Sequence, residues 1–288
     1  MNKRSFFVLV LITGIFLSLM HTPASAEELD IVNRPVNIFG LTGLLFTTSP
    51  YTLFPGSVEI GVSILSQDSV IPKYSMTEIP ISISVGMTKN SEIALRGSFY
   101  QIKGGPTNTT GFEQKTGDLE LSYKWNFMPQ PEDSVRPAVA LIMAAIFPTE
   151  QNYNMKIDAV AHWGMRLGLS AGTEIRWSDH ILGIYADVQM KAQDLSDNSL
   201  RDLYGIYNVG LLYPISKYQN LQILVEYTLI HGREKTNLVD GRDYSGITYG
   251  IRLVSERFNM TMGTQILNRE TVGYDNSSRI IGSMSFKF

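Results

Sequence analysis

The chain contains no cysteine, which excludes a disulfide scaffold, thiol catalysis and any cysteine-based zinc site. Histidine is almost as scarce: beyond the first 26 residues only His162, His180 and His231 occur. They form no H-E-x-x-H and no paired spacing, so no metal site is expected. Charged residues make up 18% of the chain, low against the roughly 25% of soluble domains. The formal net charge of −3 argues against a general nucleic-acid binder. After residue 20 no run approaches the roughly 18 apolar residues of a spanning helix. Phosphate loops and dinucleotide fingerprints are also missing, and no cofactor is called for. What the chain has is apolar residues in quantity, 44% of the total, and those must face a core or a lipid.

The N-terminus has the form of an export signal. Met1-Asn2-Lys3-Arg4 is a short positive region, Ser5 to Met20 is almost unbroken apolar sequence, and Ala24-Ser25-Ala26 supplies small residues for cleavage. This arrangement predicts a signal peptide over residues 1–26, cleaved near Ala26, with the mature chain outside the cytoplasm. An uncleaved anchor is the competing reading, and the A-x-A ending favours cleavage.

From Gly56 onward the dominant period is two. Leu182, Ile184, Ala186, Val188 and Met190 alternate with Tyr185, Asp187, Gln189 and Lys191. Leu119, Leu121, Tyr123, Trp125 and Phe127 alternate with Glu120, Ser122, Lys124 and Asn126. Successive side chains of a strand point to opposite faces, so each segment has one apolar and one polar face. The pattern predicts twelve strands at 56–67, 78–88, 91–103, 117–127, 135–147, 157–177, 180–192, 200–213, 220–231, 243–255, 257–267 and 278–288. Long links (68–77, 104–116, 148–156, 193–199, 232–242, 268–277) alternate with short ones, Lys89-Asn90 and Ser178-Asp179 among them.

Short turns on one side and long loops on the other describe an all-β, up-and-down transmembrane barrel of about 12 antiparallel strands, of the bacterial outer-membrane kind. An even strand number places both ends in the periplasm. A soluble β-sandwich also alternates. Three features oppose it: long strands, an apolar face that recurs on nearly every strand, and aromatics near strand ends. Trp125, Phe127, Trp177, Tyr213 and Phe258 fall on the short-turn side, with Phe99, Phe147 and Trp163 toward the loops, as rings at a lipid–water boundary would. The chain closes on Ile280, Met284, Phe286 and Phe288 along one face. This resembles the C-terminal assembly signal of outer-membrane barrels, with Gly282 one place earlier than the usual spacing. The expected surroundings are outer-membrane lipid and lipopolysaccharide, with the barrel-assembly machinery as a partner during insertion.

Turning the apolar face to lipid puts the other face in the lumen, because a midplane charge on the lipid face costs about 2–4 kcal/mol. The acids so placed are Glu59, Asp118, Glu120, Glu174, Asp187 and Glu226; the basic groups are Arg96, Lys124, His162, Arg166, Arg176, Lys191 and Arg252. They either select solutes along a conduit or pair with one another and fill the barrel.

Residues 27–55 do not alternate. Asn37 to Leu45, with Phe39, Gly40, Gly43 and Leu44, is apolar and Gly-punctuated, and Leu53-Phe54-Pro55-Gly56 leads into the first strand. A disordered linker should be polar. The segment is therefore expected to pack as a plug or periplasmic lid, with Ile38 to Pro55 partly buried against the inner wall. Gly40-x-x-Gly43-Leu44, a Ser/Pro-rich stretch and then Pro55-Gly56 resemble the YjbH-like outer-membrane proteins associated with exopolysaccharide secretion. That resemblance implies a tilt toward polysaccharide export, with polysaccharide-export proteins as partners.

Catalytic motifs fare poorly. Gly168-Leu169-Ser170-Ala171-Gly172 matches G-x-S-x-G, but the motif needs a strained strand-to-helix turn. Here it lies inside an alternating strand, where the glycines make room for lumen groups. Asp194, Asp197 and Asp202 lack the ordered ligand spacing of an EF-hand and read as solvated loop acids. The expected function is passage or assisted export of a solute or polymer, without enzymatic activity. A non-conducting structural barrel is the alternative, and a lipid-modifying hydrolase is a third.

Overall fold

The computed structural model describes residues 34–288 apart from 70–73, 105–111, 132–133, 148–162, 178–179, 195–200, 216–219, 233–243 and 270–276. The expected signal peptide therefore lies outside the described residues. The strands are β1 (Val58–Ser69), β2 (Tyr74–Thr88), β3 (Ser91–Gly104), β4 (Phe112–Thr116), β5 (Leu119–Met128), β6 (Ala138–Phe147) and β7 (Gly164–Trp177). β8 (His180–Asp194), β9 (Arg201–Pro214), β10 (Leu221–Gly232), β11 (Tyr244–Val254), β12 (Phe258–Arg269) and β13 (Ser277–Lys287) complete the sheet.

Every pairing is antiparallel, and β1 pairs with both β2 and β13, so the sheet closes on itself. β4 and β5 both pair with β3, through Phe99–Lys103 and Ser91–Arg96. They are two halves of one stave, interrupted at Gly117-Asp118. The barrel thus has the twelve staves that the alternation predicts. Only glycine fits the interruption, since a Cβ at position 117 would lie 2.5 Å from the Tyr100 ring.

Burial along the staves is the reverse of a soluble core. On β5, Trp125 is 47% exposed while its neighbour Lys124 is 0% exposed. Leu121, Tyr123 and Phe127 also face outward, and Glu120, Ser122 and Asn126 inward. An apolar band of this extent suits lipid, and closure leaves no strand edge to pair with another chain. β6 departs furthest, with Ala138, Ala140, Ile142 and Ile146 buried on its inner face, and Ile206, Leu212 and Leu224 are buried apolar residues on β9 and β10. Ring pairs sit near both ends: Trp125–Phe127 at 5.8 Å and Phe258–Phe286 at 5.1 Å on one side, Phe147–Trp163 at 5.0 Å on the other.

Several boundaries differ from expectation. The 68–77 link shrinks to residues 70–73, the 104–116 link contains β4, and Asp194 belongs to β8. Tyr74-Ser75-Met76-Thr77 continues the pairing without an apolar face. Beyond the lipid band a strand needs backbone partners but no alternation, which is why the sequence pattern stops short. Conversely, β6 begins at Ala138 rather than 135, and β7 at Gly164, with 157–162 outside the described residues. The seam is the β1–β13 ladder from Glu59↔Lys287 to Gln67↔Arg279, extended at its end by Val58 N to Phe288 O at 3.1 Å and Phe288 N to Val58 O at 2.8 Å.

Candidate functional site

Residues 34–55 do not join the wall. They fold into two linked turns whose partners come from strands all round the ring, so the segment lies in the lumen. Asn37 makes the first turn: its Oδ1 accepts from Phe39 N at 2.9 Å and Leu41 N at 3.2 Å. Gly40 sits there at φ 82°, the left-handed region that favours glycine. A second turn is closed by Leu44 N to Thr47 O at 2.9 Å, and Ser49 N to Thr42 O at 3.0 Å ties the two together. At the exit, Pro55 is exposed, Gly56 has φ 77°, and Ser57 N bonds Phe54 O at 3.0 Å, turning the chain into β1.

Turns leave many backbone groups without partners, and the wall supplies them with charged side chains. Acids take the N–H groups. Glu226 accepts from Leu45 and Phe46 at 2.9 Å each and from Thr47 at 2.6 Å. Asp187 accepts from Thr48 N at 2.7 Å, and Glu59 from Val36 N at 3.1 Å. Glu92 accepts from Thr42 N at 2.9 Å and Leu53 N at 2.8 Å.

Basic groups take the carbonyls. Arg96 Nε donates to Ile38 O at 2.7 Å, Lys124 Nζ to Ser49 O at 2.9 Å, and Arg252 Nη2 to Gly43 O at 3.1 Å. The hydroxyls of Ser84 and Ser170 donate to Gly40 O and Thr48 O. Leu41 adds an apolar contact with Ala94 and Ile142.

Two further clusters bracket the segment. At its start Arg34 pairs with Glu174 and lies 3.8 Å over the Tyr51 ring. Glu174 also accepts from the Tyr185 hydroxyl at 2.6 Å. Burial opposes the Arg34 charge most, but the Glu174 carboxylate together with Tyr185 and Tyr51 outweighs it and raises the guanidinium pKa. The Tyr51 hydroxyl is pushed above its ordinary range, by burial first and by the Glu174 charge second. At the other extreme Phe39 lies between two guanidinium groups, 5.8 Å from Arg96 and 5.1 Å from Arg166. Arg96 pairs with Glu78 at 2.8 Å, and Arg166 with Glu120.

Of the lumen residues expected from sequence, Glu59, Arg96, Lys124, Glu174, Asp187, Glu226 and Arg252 bond the segment directly. Glu120 and Arg166 stand beside it, and Lys191 is half-buried 5.7 Å from the Tyr204 ring. Arg176 shares the parity of Ser170 and Glu174 and is exposed near the end of β7. Asp118 is half-buried at the stave interruption, and His162 lies outside the described residues. Sequence reasoning missed Glu92, Glu78 and Arg34. Glu92 shares the inward parity of Arg96, so the alternation itself was a signal for it. Ser170 is fully buried on a regular strand and spends its hydroxyl on Thr48, which fits no nucleophile elbow. Among the described residues no group of three acids or histidines suited to a metal occurs.

No protein-family model matches the chain, and no curated protein matches it. Solved structures do. An outer-membrane channel from Pseudomonas putida F1 is similar at TM-score 0.58 and 12% identity, over 83% of this chain and 98% of that one. The NanC porin follows at TM-score 0.52 and 13% identity, over 80% and 100%. LpxR from Salmonella typhimurium, an enzyme, has TM-score 0.50 and 11% identity, over 80% and 99%. The fold is therefore that of bacterial outer-membrane β-barrels. Because channels and an enzyme share it, it does not by itself assign a role.

Proposed function

We propose that the chain resides in the outer membrane and assists passage of a solute or polymer, with residues 34–55 as a plug that closes the lumen. One observation carries this. The segment buries apolar side chains such as Leu41, Leu44 and Leu45, but its backbone is held by hydrogen bonds from charged wall groups, which water or a solute can replace. The likeness of Gly40-x-x-Gly43-Leu44 and Pro55-Gly56 to the YjbH-like pattern favours a polysaccharide as the polymer.

Planar-bilayer conductance tests the proposal. The full chain should conduct little, and a chain lacking residues 35–50 should conduct strongly with equal barrel yield. Equal conductance from the two would overturn it in favour of a non-conducting structural barrel. Ser170→Ala should leave any lipid release unchanged, which separates passage from hydrolysis.

A further inference from the structure

Buried side-chain atoms without a partner, among the described residues, include Glu59 Oε2 on β1, Asn126 Oδ1 on β5 and Arg166 Nε on β7, but they concentrate on one arc of the inner wall. Six buried side chains there each carry an atom with no partner: Asn208 Oδ1 on β9, Thr228 Oγ1 on β10, Thr248 Oγ1 and Arg252 Nη1 on β11, and Asn259 Oδ1 and Gln265 Nε2 on β12. None of these residues is more than 2% exposed. Buried polar groups are normally bonded, and the concentration of exceptions on four adjacent staves marks this arc. They are also neighbours in register. Asn208 stands opposite Thr228, and Thr248 stands opposite both Glu226 and Gln265.

Against this arc the plug is held by two wall side chains, Glu226 and Arg252, through three amides and one carbonyl. Its remaining contacts here are close approaches: Leu44 and Thr47 lie against Gly210 of β9, and Leu45 against Gly263 of β12. The rest of the ring, from β1 to β8, grips with Glu59, Ser84, Glu92, Arg96, Lys124 and Asp187. Separation along β9–β12 therefore breaks fewer bonds and releases six polar groups that have no partner while the plug is seated.

We infer that the plug opens by swinging off the β9–β12 arc, and that the path so formed takes a neutral polyhydroxylated solute of the sugar class. This rests on the passage function proposed above. Amides and hydroxyls on the arc offer donors and acceptors together, which matches sugar hydroxyls, since each both donates and accepts. Once freed, Glu226 repels anions and Arg252 repels cations, so neither sign of ion is favoured.

The test is swelling of vesicles carrying the full chain in isotonic arabinose, a neutral pentose. The chain has no cysteine, so one engineered pair gives an unambiguous tether. Thr47 Cβ lies 3.3 Å from where a Cβ at position 210 would sit, close to the disulfide spacing of about 3.8 Å. Leu44 Cδ1 lies 2.3 Å from the same point, so the pair is built together with Leu44→Ala, which also serves without the pair as the untethered control. Thr47→Cys with Gly210→Cys should stop arabinose uptake when oxidised and restore it on reduction. Independently, Thr248→Val with Gln265→Leu should slow uptake about tenfold, for two lost hydrogen bonds. Unchanged uptake through the oxidised tether, or through the double variant, overturns the inference. So does a full chain that admits no arabinose while the chain lacking 35–50 admits it; passage then stands and the arc does not. If the chain lacking 35–50 admits neither arabinose nor ions, passage itself fails.

Discussion

At the scale of single residues, the most consequential pair is Lys124 with Glu92. Their charged atoms are 2.9 Å apart and both side chains are fully buried. Each also bonds the plug, Lys124 through Ser49 O and Glu92 through Thr42 N and Leu53 N. Lys124→Met leaves a buried carboxylate without its counter-charge, at a cost of about 3–5 kcal/mol. The variant should lose its compact form on a denaturing gel at a clearly lower temperature than the parent. Glu226→Gln replaces a two-oxygen acceptor of three amides by a group with one oxygen and two donors of its own. The hold on Leu45–Thr47 should weaken by about 1.5–3 kcal/mol, read as more frequent openings in a bilayer at unchanged barrel yield. Glycines divide in the same way. A Cβ at position 43 would lie 2.2 Å from Thr47 O, whereas nothing lies within 4 Å of one at position 282. Gly43→Ala should make the plug accessible to protease, and Gly282→Ala should not.

At the scale of elements, the staves were legible because lipid on one side and polar groups on the other impose a strict period of two. β5 could be read residue by residue. The outer ends of β1, β2 and β4 could not, since no lipid face marks them there. The plug was legible only as an apolar segment unsuited to water. Which wall groups meet it depends on register accumulated across many staves: Glu226 reaches Leu45 from 181 positions away along the chain. Nothing local announces such a contact. The seam offers a test at this scale. Deleting Phe288 removes both backbone bonds to Val58, and the expected result is a fall in membrane yield greater than for Phe288→Leu, which keeps them.

At the scale of the whole molecule, a closed ring of twelve staves satisfies its backbone internally and should resist detergent until heated. Unboiled and boiled protein should migrate differently, with strand-dominated circular dichroism; helix-dominated dichroism would contradict the fold. The fold sets a frame within which channels and enzymes both occur, so the lumen decides between them. The seam has a consequence in time. The plug is the stretch of chain directly before β1, and β1 is bonded to the last stave, β13. Once that seam shuts, the two turns of residues 35–50 can reach their places only by threading through a mouth. Before it shuts, Glu226, Asp187 and Arg252 can gather around a strap already in place, as staves are set around a mandrel. Assembly by the second order makes the strap a scaffold first and a closure afterwards, and a chain without it should close its seam more slowly.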